Sequence, residues 1–339
     1  MIVGLGVDGR YGFAAAEQRE IARSAADRGF GSLWTNAVGI PDAFHVCALW
    51  AHAAAQAGDG NLRTGISVIG ALNWKPQSLA AQAATVGLLS GGRFTLGIGT
   101  GGANVRQRPI ATMADYLAVL RPLLDGQEVD YRGATMDVER VRLNGSFPRV
   151  PVYLAALGPQ MLRLAGRAAD GAAMSFASPD EIARQSAIIA EGAAAAGRDR
   201  GDVALSMYIR VCIDDDAELA RQAFATTVLS YAMARPGADK RFAYRGLFTR
   251  MGYDEVLSDL ETRRDQGASA AEIARRAPDE MLQSVGYFGT ADGAAARFAE
   301  LSAGLDETIV RYVAARPGLE PLLATMDTLS PQAVAGAVA

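Results

Sequence analysis

The chain has 339 residues, of which 50% are hydrophobic and 21% charged, and its formal net charge is −4. This composition excludes a disordered chain, and the slight negative charge argues against nucleic-acid and anionic-membrane partners, which attract positive proteins. The charged residues Asp8 and Arg10 interrupt the first apolar run before a secretory core can form, and no apolar stretch approaches the roughly 20 residues of a membrane span. We therefore expect a cytoplasmic protein whose partner is a small-molecule substrate.

Short apolar segments alternate with longer amphipathic ones along most of the chain. The predicted strands are residues 2–7, 32–35, 63–69, 94–98, 152–156, 172–176, 204–213 and 307–313. The predicted helices are residues 14–28, 43–57, 77–89, 112–124, 161–169, 179–196 and 292–303. Eight parallel strands joined by helices can close into a barrel, so the pattern predicts one α/β domain over 1–339, a (β/α)₈ TIM barrel.

Two segments break this alternation. Residues 125–150 are rich in turn-forming residues and predict a small insertion, such as a hairpin. Residues 214–285 are helical but irregular, and they carry both aromatic and basic side chains. Long additions at one face of a barrel usually cover its site, so we expect this segment to lie over the barrel mouth.

Residues 154–162, with the sequence LAALGPQML, lead from a strand through a glycine turn directly into a helix. Pro159 would lie in the first turn of that helix, where a proline is well tolerated. Free backbone N–H groups and the positive end of the helix dipole would then meet at the carboxyl end of a strand. This arrangement predicts a phosphate site without a lysine, and an ordinary strand-to-helix turn is the alternative.

The segment 92–102 ends a strand in small residues and matches GxGxxG at Gly97, Gly99 and Gly102. A dinucleotide fold needs the helix to begin at once and an acidic residue roughly 20 positions later. Here the predicted helix does not begin directly after the glycines, so a NAD(P) dehydrogenase is the least favoured of the alternative functions. The small residues would still let a ligand approach the backbone.

Two carboxylates follow predicted strands on the face where barrels place their catalytic groups: Asp8 after the first strand and Asp42 after the second. Each is a candidate proton donor or simply a helix N-cap. Both histidines, His45 and His52, lie on the predicted second helix, which is too few ligands for a catalytic zinc site, and we expect no metal. His45, early in that helix, is a candidate substrate contact, although a helical histidine is usually structural.

Residues 89–101, 151–162, 165–171 and 289–292 together resemble the luciferase-like superfamily of flavin- and coenzyme F420-dependent oxidoreductases. Within it they are most similar to the branch of the methylenetetrahydromethanopterin reductases. The resemblance implies a bacterial-luciferase-like barrel, coenzyme F420 or FMN as cofactor, and a homodimer.

The resemblance also implies positions for the cofactor. Thr100 and Asn104 would lie along its side chain or ring, and a non-prolyl cis peptide between Ser67 and Val68 would contact the back face of the ring. The cofactor phosphate would be held by the turn composed of Ala156, Leu157, Gly158, Pro159, Gln160 and Met161.

Our working hypothesis is a reductase in which reduced F420 delivers hydride to an imine or C=C bond of a small metabolite. Asn36, with Asp8 or Asp42, would orient or protonate the substrate, and Trp74 and His45 would contact it. Many relatives carry an acid pair after the second strand that is missing here, so sugar-dehydrogenase chemistry is not expected. The alternatives are an FMN-dependent monooxygenase on the same fold and a non-catalytic flavin-binding relative.

Overall fold

The computed structural model describes residues 1–38, 42–58, 60–101 and 108–337. The strands are β1 (Ile2–Gly6), β2 (Ser32–Thr35), β3 (Arg63–Gly70), β4 (Phe94–Gly99), β5 (Val129–Arg132), β6 (Asp137–Val141), β7 (Val152–Ala155), β8 (Gly171–Ser175), β9 (Ala204–Ile213), β10 (Gly286–Gly289) and β11 (Glu307–Tyr312). The first helices are α1 (Ala15–Asp27), α2 (Ala43–Gln56), α3 (Pro76–Leu89), α4 (Pro109–Leu124), α5 (Pro159–Ala168), α6 (Pro179–Ala194) and α7 (Ala217–Ala232). They are followed by α8 (Ala243–Arg250), α9 (Asp254–Asp265), α10 (Ala270–Arg276), α11 (Asp279–Gln283), α12 (Ala294–Leu301), α13 (Glu320–Thr328) and α14 (Pro331–Gly336). Over the described ranges, no helix is both long enough and apolar enough to cross a membrane.

Eight parallel strands form a closed ring in the order β1, β2, β3, β4, β7, β8, β9 and β11, and β11 pairs back onto β1. These are the eight strands that the sequence predicts, and the predicted (β/α)₈ barrel is confirmed. Strand β10 was not predicted; it pairs with the last residues of β9, beyond the end of β8. Its sequence, GYFG, is too short and too rich in glycine to show an alternating pattern.

The segment 125–150 contains the antiparallel pair β5 and β6. Asp115 of α4 anchors this hairpin: its carboxylate accepts hydrogen bonds from the Tyr131 hydroxyl at 2.8 Å and from the Thr135 backbone N–H at 2.6 Å. The hairpin therefore packs on the outer helical layer, against α4, and not on the barrel strands.

Aromatic side chains fill the barrel interior. Trp34, Tyr153 and Tyr208 form a buried cluster there, and glycines on neighbouring strands make the space. A Cβ at Gly65 would lie 2.5 Å from the Trp34 ring, and one at Gly171 would lie 2.6 Å from the Tyr153 ring. This aromatic layer fills the barrel interior, so a ligand bound at the carboxyl ends of the strands would lie above it.

Candidate functional site at the barrel mouth

The mouth is the opening at the carboxyl ends of the eight barrel strands, where barrel enzymes place their sites. In a ring of eight strands, each strand faces the one four positions away. Strand β9 therefore lies across the mouth from β3, and β11 lies across from β4. This order defines two sides of the mouth: one made by β3, β4 and β7, and the other by β9, β11 and β1.

On the first side, the peptide bond between Ser67 and Val68 is cis, at the position that the resemblance implies, and the register between β3 and β4 shifts here. The glycines of β4 accommodate this segment. A Cβ at Gly97 would lie 2.4 Å from the Ile66 carbonyl oxygen, and one at Gly99 would lie 3.1 Å from the Val68 side chain. The close approach of β3 thus accounts for two of the three glycines in the GxGxxG match, and the third, Gly102, lies outside the described residues.

The corner between β7 and α5 has exposed backbone donors. The first N–H to bond within α5 belongs to Leu162, which donates to the Gly158 carbonyl at 3.0 Å. The N–H groups of Gln160 and Met161 precede it and have no acceptor within the helix. Gly158 is the N-cap, and a Cβ there would meet no atom within 4 Å. The corner is therefore open, with the positive end of the helix dipole beside the space.

Two arginines lie near this corner. Arg250 of α8 donates from Nη2 to the Leu157 carbonyl at 2.7 Å. Arg184 pairs with Glu181 at 2.6 Å, and the Arg250 Nε lies 4.0 Å from the same carboxylate. Burial, together with the nearby charge of Arg184, lowers the pKa of Arg250. Arg250 therefore brings one guanidinium group to the corner, and the Glu181 carboxylate near it is already paired with Arg184.

The other residues expected to bind the cofactor lie on this side of the mouth or outside the described ranges. Thr100 directly follows β4 and is half-buried. The Ala156 N–H already donates to the Ala173 carbonyl at 3.3 Å, and the Pro159 nitrogen carries no hydrogen. Asn104 lies outside the described residues. The structure therefore brings Ser67, Val68, Thr100 and the β7 turn onto three adjacent strands.

Asp8 lies on the opposite side of the mouth, held between two arginines. Its Oδ2 accepts from Arg311 Nη2 at 2.6 Å and from Arg10 Nη2 at 2.8 Å, and its Oδ1 accepts from the Arg10 Nε at 3.0 Å. Burial alone would raise the pKa of Asp8, but the hydrogen bonds from Arg10 and the charge of Arg311 hold it well below its ordinary value. Its Oδ1 also accepts from the Arg10 backbone N–H at 2.9 Å, so Asp8 takes the N-cap role that was its alternative, and its role as a proton donor stays a prediction.

Asn36 connects the segments that follow β1 and β2. Its Oδ1 accepts a hydrogen bond from the Gly9 N–H at 3.0 Å. A Cβ at Gly9 would lie 2.6 Å from the Val38 carbonyl oxygen, so these two segments touch. Asn36 thus shapes the rim beside Asp8, and its contact with a substrate stays a prediction.

Asp42 and His45 belong to the outer helical layer. Asp42 is the N-cap of α2, and its Oδ1 accepts from the Phe44 N–H at 3.0 Å and lies 2.8 Å from His45 Nδ1. The side chains of Asp42 and His45 are 51% and 83% exposed, while Phe44 and Cys47 occupy the buried face of this helix. His45 borders a surface groove between α1 and α2. Asp42 thus takes the N-cap role that was its alternative, and the contacts of Asp42 and His45 with a substrate stay predictions.

Trp74 lies beyond the end of β3 and is half-buried. Its ring packs edge-on against Phe44, with the ring centroids 5.8 Å apart, and its carbonyl accepts from the Tyr116 hydroxyl at 3.2 Å. These contacts fix the loop after β3. A substrate contact of Trp74 stays a prediction.

Sequence reasoning missed two arginines of the mouth, Arg210 on β9 and Arg311 on β11. They occupy the same register position on neighbouring strands, so both side chains lie on one face of the sheet. Arg210 is 5% exposed; its guanidinium lies 3.6 Å from the Phe176 ring centroid and 4.8 Å from that of Tyr231. The sequence did contain a signal for them, since each arginine interrupts an apolar run that predicts a buried strand. Burying a charge there is costly unless another group pairs with it.

Comparisons with known proteins agree with this geometry. The family model described as luciferase-like monooxygenase matches residues 3–308. A 5,10-methylenetetrahydromethanopterin reductase of Methanolobus tindarius is 28% identical over 316 residues, covering 87% of this chain and 89% of the relative. The enzyme of the same name from Archaeoglobus fulgidus is 27% identical over 259 residues, covering 73% and 76%.

Among solved structures, the coenzyme F420-dependent tetrahydromethanopterin reductase from Methanopyrus kandleri has the same fold, with a TM-score of 0.76. It is 20% identical, and the match covers 98% of this chain and 99% of that one. The barrel, the open corner after β7 and a family match over most of the sequence agree with one another. The chain belongs to the luciferase-like monooxygenase family.

Proposed function

We propose that the protein, an oxidoreductase of this family, is a reductase that uses reduced coenzyme F420. The acceptor of the hydride would be an imine or a C=C bond of a small metabolite. One observation carries this proposal: the open corner at Gly158, where backbone N–H groups and Arg250 face a space next to the β3 and β4 edge. This is the arrangement that an anionic tail and a flat ring attached to it require.

The residues present fit such a cofactor. The N–H groups of Gln160 and Met161 would hold its phosphate, because they have no acceptor within α5. The ring would lie along Ser67 and Val68, above the aromatic layer that fills the barrel interior. When bound, the cofactor supplies the hydride, and the protein supplies orientation and a dry pocket.

Aromatic side chains near the other rim support a water-poor site. The Phe176 ring centroid lies 5.2 Å from that of Tyr231 and 5.3 Å from that of Tyr244. Tyr231 and Tyr244 belong to α7 and to α8, so helices of the 214–285 segment contact the ends of β8 and β9. We propose that these helices cover the bound substrate and exclude water from it.

The names of the relatives support the cofactor and the direction of the reaction. Both archaeal relatives are named as reductases, and the Methanopyrus kandleri enzyme is named as dependent on coenzyme F420. The family description favours one second candidate, an FMN-dependent monooxygenase on the same barrel. In that case the reduced ring would react with oxygen instead of transferring hydride to a metabolite.

The test is an equilibrium titration of the purified protein with F420 and, separately, with FMN, followed by ring absorbance. We expect tighter binding of F420, and oxidation of the reduced form by an added imine or enoate without oxygen consumption. Preference for FMN together with oxygen consumption would overturn the reductase. Tight F420 binding without turnover of any acceptor would indicate a non-catalytic relative. A melting temperature raised only by NADH or NADPH would indicate a nicotinamide enzyme.

A further inference from the structure

The side of the mouth made by β9, β11 and β1 carries more positive than negative charge. Arg10, Arg210 and Arg311 lie together there, and Tyr231 contacts two of them: its hydroxyl is 3.5 Å from Arg10 Nη2, and its ring faces Arg210. The one carboxylate bonded to these arginines, among the described residues, is Asp8. Three guanidinium groups thus share a single negative charge.

Arg210 is the least balanced of the three. Its Nη1 donates to the Ser175 hydroxyl at 2.8 Å, a neutral partner, and across the described part of the chain it forms no ion pair. Burial and the like charge of Arg311 lower the pKa of Arg210, against the opposing effect of the Tyr231 and Tyr244 phenols. Burying a guanidinium without a counter-charge is costly, and folded proteins usually pair such a group.

Arg311 is only partly satisfied as well. Its Nη2 donates to Asp8, while its Nη1 is buried and has no hydrogen-bond partner among the described residues. Gly6 leaves room for its stem, since a Cβ there would lie 3.2 Å from Arg311 Cδ. Gly6 therefore makes space for one of two neighbouring arginines, and the described residues supply no second carboxylate bonded to them.

The position of Arg210 relates this charge to a ligand in the mouth. Alternation along β9 places Arg210 on the same inward face as Tyr208, and β9 lies across the ring from β3, which holds Ser67 and Val68. A substrate that faces a ring on the β3 edge would have its far end at Arg210.

We propose that Arg210, with Arg311 beside it, binds an oxyanion of the substrate, so that the hydride acceptor carries a carboxylate or a phosphate group. The location of the site relative to the cofactor rests on the proposed function, whereas binding of an anion at Arg210 does not. A guanidinium is the side chain best suited to this ligand, because its N–H groups match two oxygens of a carboxylate or phosphate.

The positive surroundings also affect Tyr231. Burial would raise the pKa of its phenol, but the charges of Arg210, Arg10 and Arg311 outweigh burial and lower that pKa. The direction of this change agrees with an unbalanced positive potential at the position assigned to the anion.

The experiment uses three probes, crotonate, the uncharged crotonamide and inorganic phosphate, titrated at constant ionic strength into the cofactor-free protein. Tryptophan fluorescence and melting temperature report saturable binding. We expect crotonate or phosphate to bind and crotonamide not to bind, and the tighter of the two anions identifies the substrate as a carboxylate or a phosphate. Equal binding of crotonate and crotonamide, or no saturable binding of either anion, overturns the proposal.

Variants locate the bound anion. Arg210→Met should weaken anion binding about 10- to 100-fold, the loss expected for hydrogen bonds to a charged group, and Arg210→Lys should restore part of it. The matched control is Arg241→Met, because Arg241 is an exposed arginine that pairs only with Asp239 among the described residues. If Arg210→Met fails to fold, the anion affinity of Arg210→Lys and the comparison of crotonate with crotonamide still test the proposal.

A further variant separates this site from the β7–α5 corner. Gly158→Val places a side chain in the corner, so anion binding at Arg210 should persist in it. If anion binding is lost in Gly158→Val and kept in Arg210→Met, the anion lies at the corner and the proposal is overturned. If the anion binds at Arg210 but F420 does not bind the unmodified protein, only the proposed function fails.

Discussion

The two sides of the barrel mouth offer positive potential by different means. The corner between β7 and α5 uses backbone N–H groups from consecutive residues, with Gly158 leaving the space in front of them open. The opposite side uses arginine side chains from three separate parts of the chain, and Asp8 holds two of them, Arg10 and Arg311, together. One site is a property of a short segment, and the other exists only after the ring of strands has closed.

This difference implies different responses to substitution. At the corner, the groups that would bind a ligand are held by the helix itself, so a change of side chain should alter ligand binding more than stability. On the arginine side, the arginines that would bind a ligand also stabilise the folded protein through their ion pairs with Asp8. A change there should therefore alter stability strongly.

Replacing Asp8 by asparagine should reduce the free energy of unfolding by about 3–5 kcal/mol, because it leaves the buried Arg311 without its counter-charge. Urea unfolding measures this change. The matched control is Asp239→Asn, whose ion pair with Arg241 is exposed, and it should change stability little. Equal losses in the two variants would show that the arginine side does not depend on Asp8.

The same carboxylate should make stability depend on pH. Folding lowers the pKa of Asp8 below its ordinary value of 3.8, so the unfolded chain takes up a proton there before the folded protein does. The contribution of Asp8 is therefore complete above that pH range and is lost as the pH falls below about 4. Unfolding curves from pH 6 down to about 3 should show a steeper loss for the unmodified protein than for Asp8→Asn. Parallel curves would show that Asp8 is not the source of this pH dependence.

The same contrast explains what could be predicted from the sequence. The barrel strands were predictable because each is a continuous apolar run, and the corner was predictable because a strand, a glycine and a proline follow one another. The family prediction is also confirmed. The pairing of Asp8 with Arg311 joins residues 303 positions apart, and no local pattern indicates it. The proton-donor role was assigned to Asp8 without that partner, and it stays a prediction. The homodimer stays a prediction.

At the corner, Gly158→Val should weaken F420 binding about 10- to 100-fold, which corresponds to about 1.4–2.8 kcal/mol, and cost at most about 1 kcal/mol of stability, since valine is a poorer N-cap than glycine. The extended backbone of Gly158 accepts a valine, and the added side chain enters open space beside the free N–H groups. The control is Gly201→Val, where a Cβ also meets no atom within 4 Å but the residue lies next to the amino end of β9, away from the mouth. Unchanged F420 affinity in Gly158→Val would show that the corner is not part of the cofactor site.

The smallest effects are expected beyond both sides of the mouth, in α2. Asp42→Ala should cost about 1 kcal/mol of stability, because the start of this helix loses the side chain that caps its N–H groups. His45→Ala should change neither stability nor turnover measurably, since its exposed ring borders a groove on the outer surface. Urea unfolding and steady-state turnover of the two variants, compared with the unmodified protein, measure both effects. A loss of turnover in His45→Ala without a loss of stability would show that α2 contributes to the active site, in addition to the two sides of the mouth.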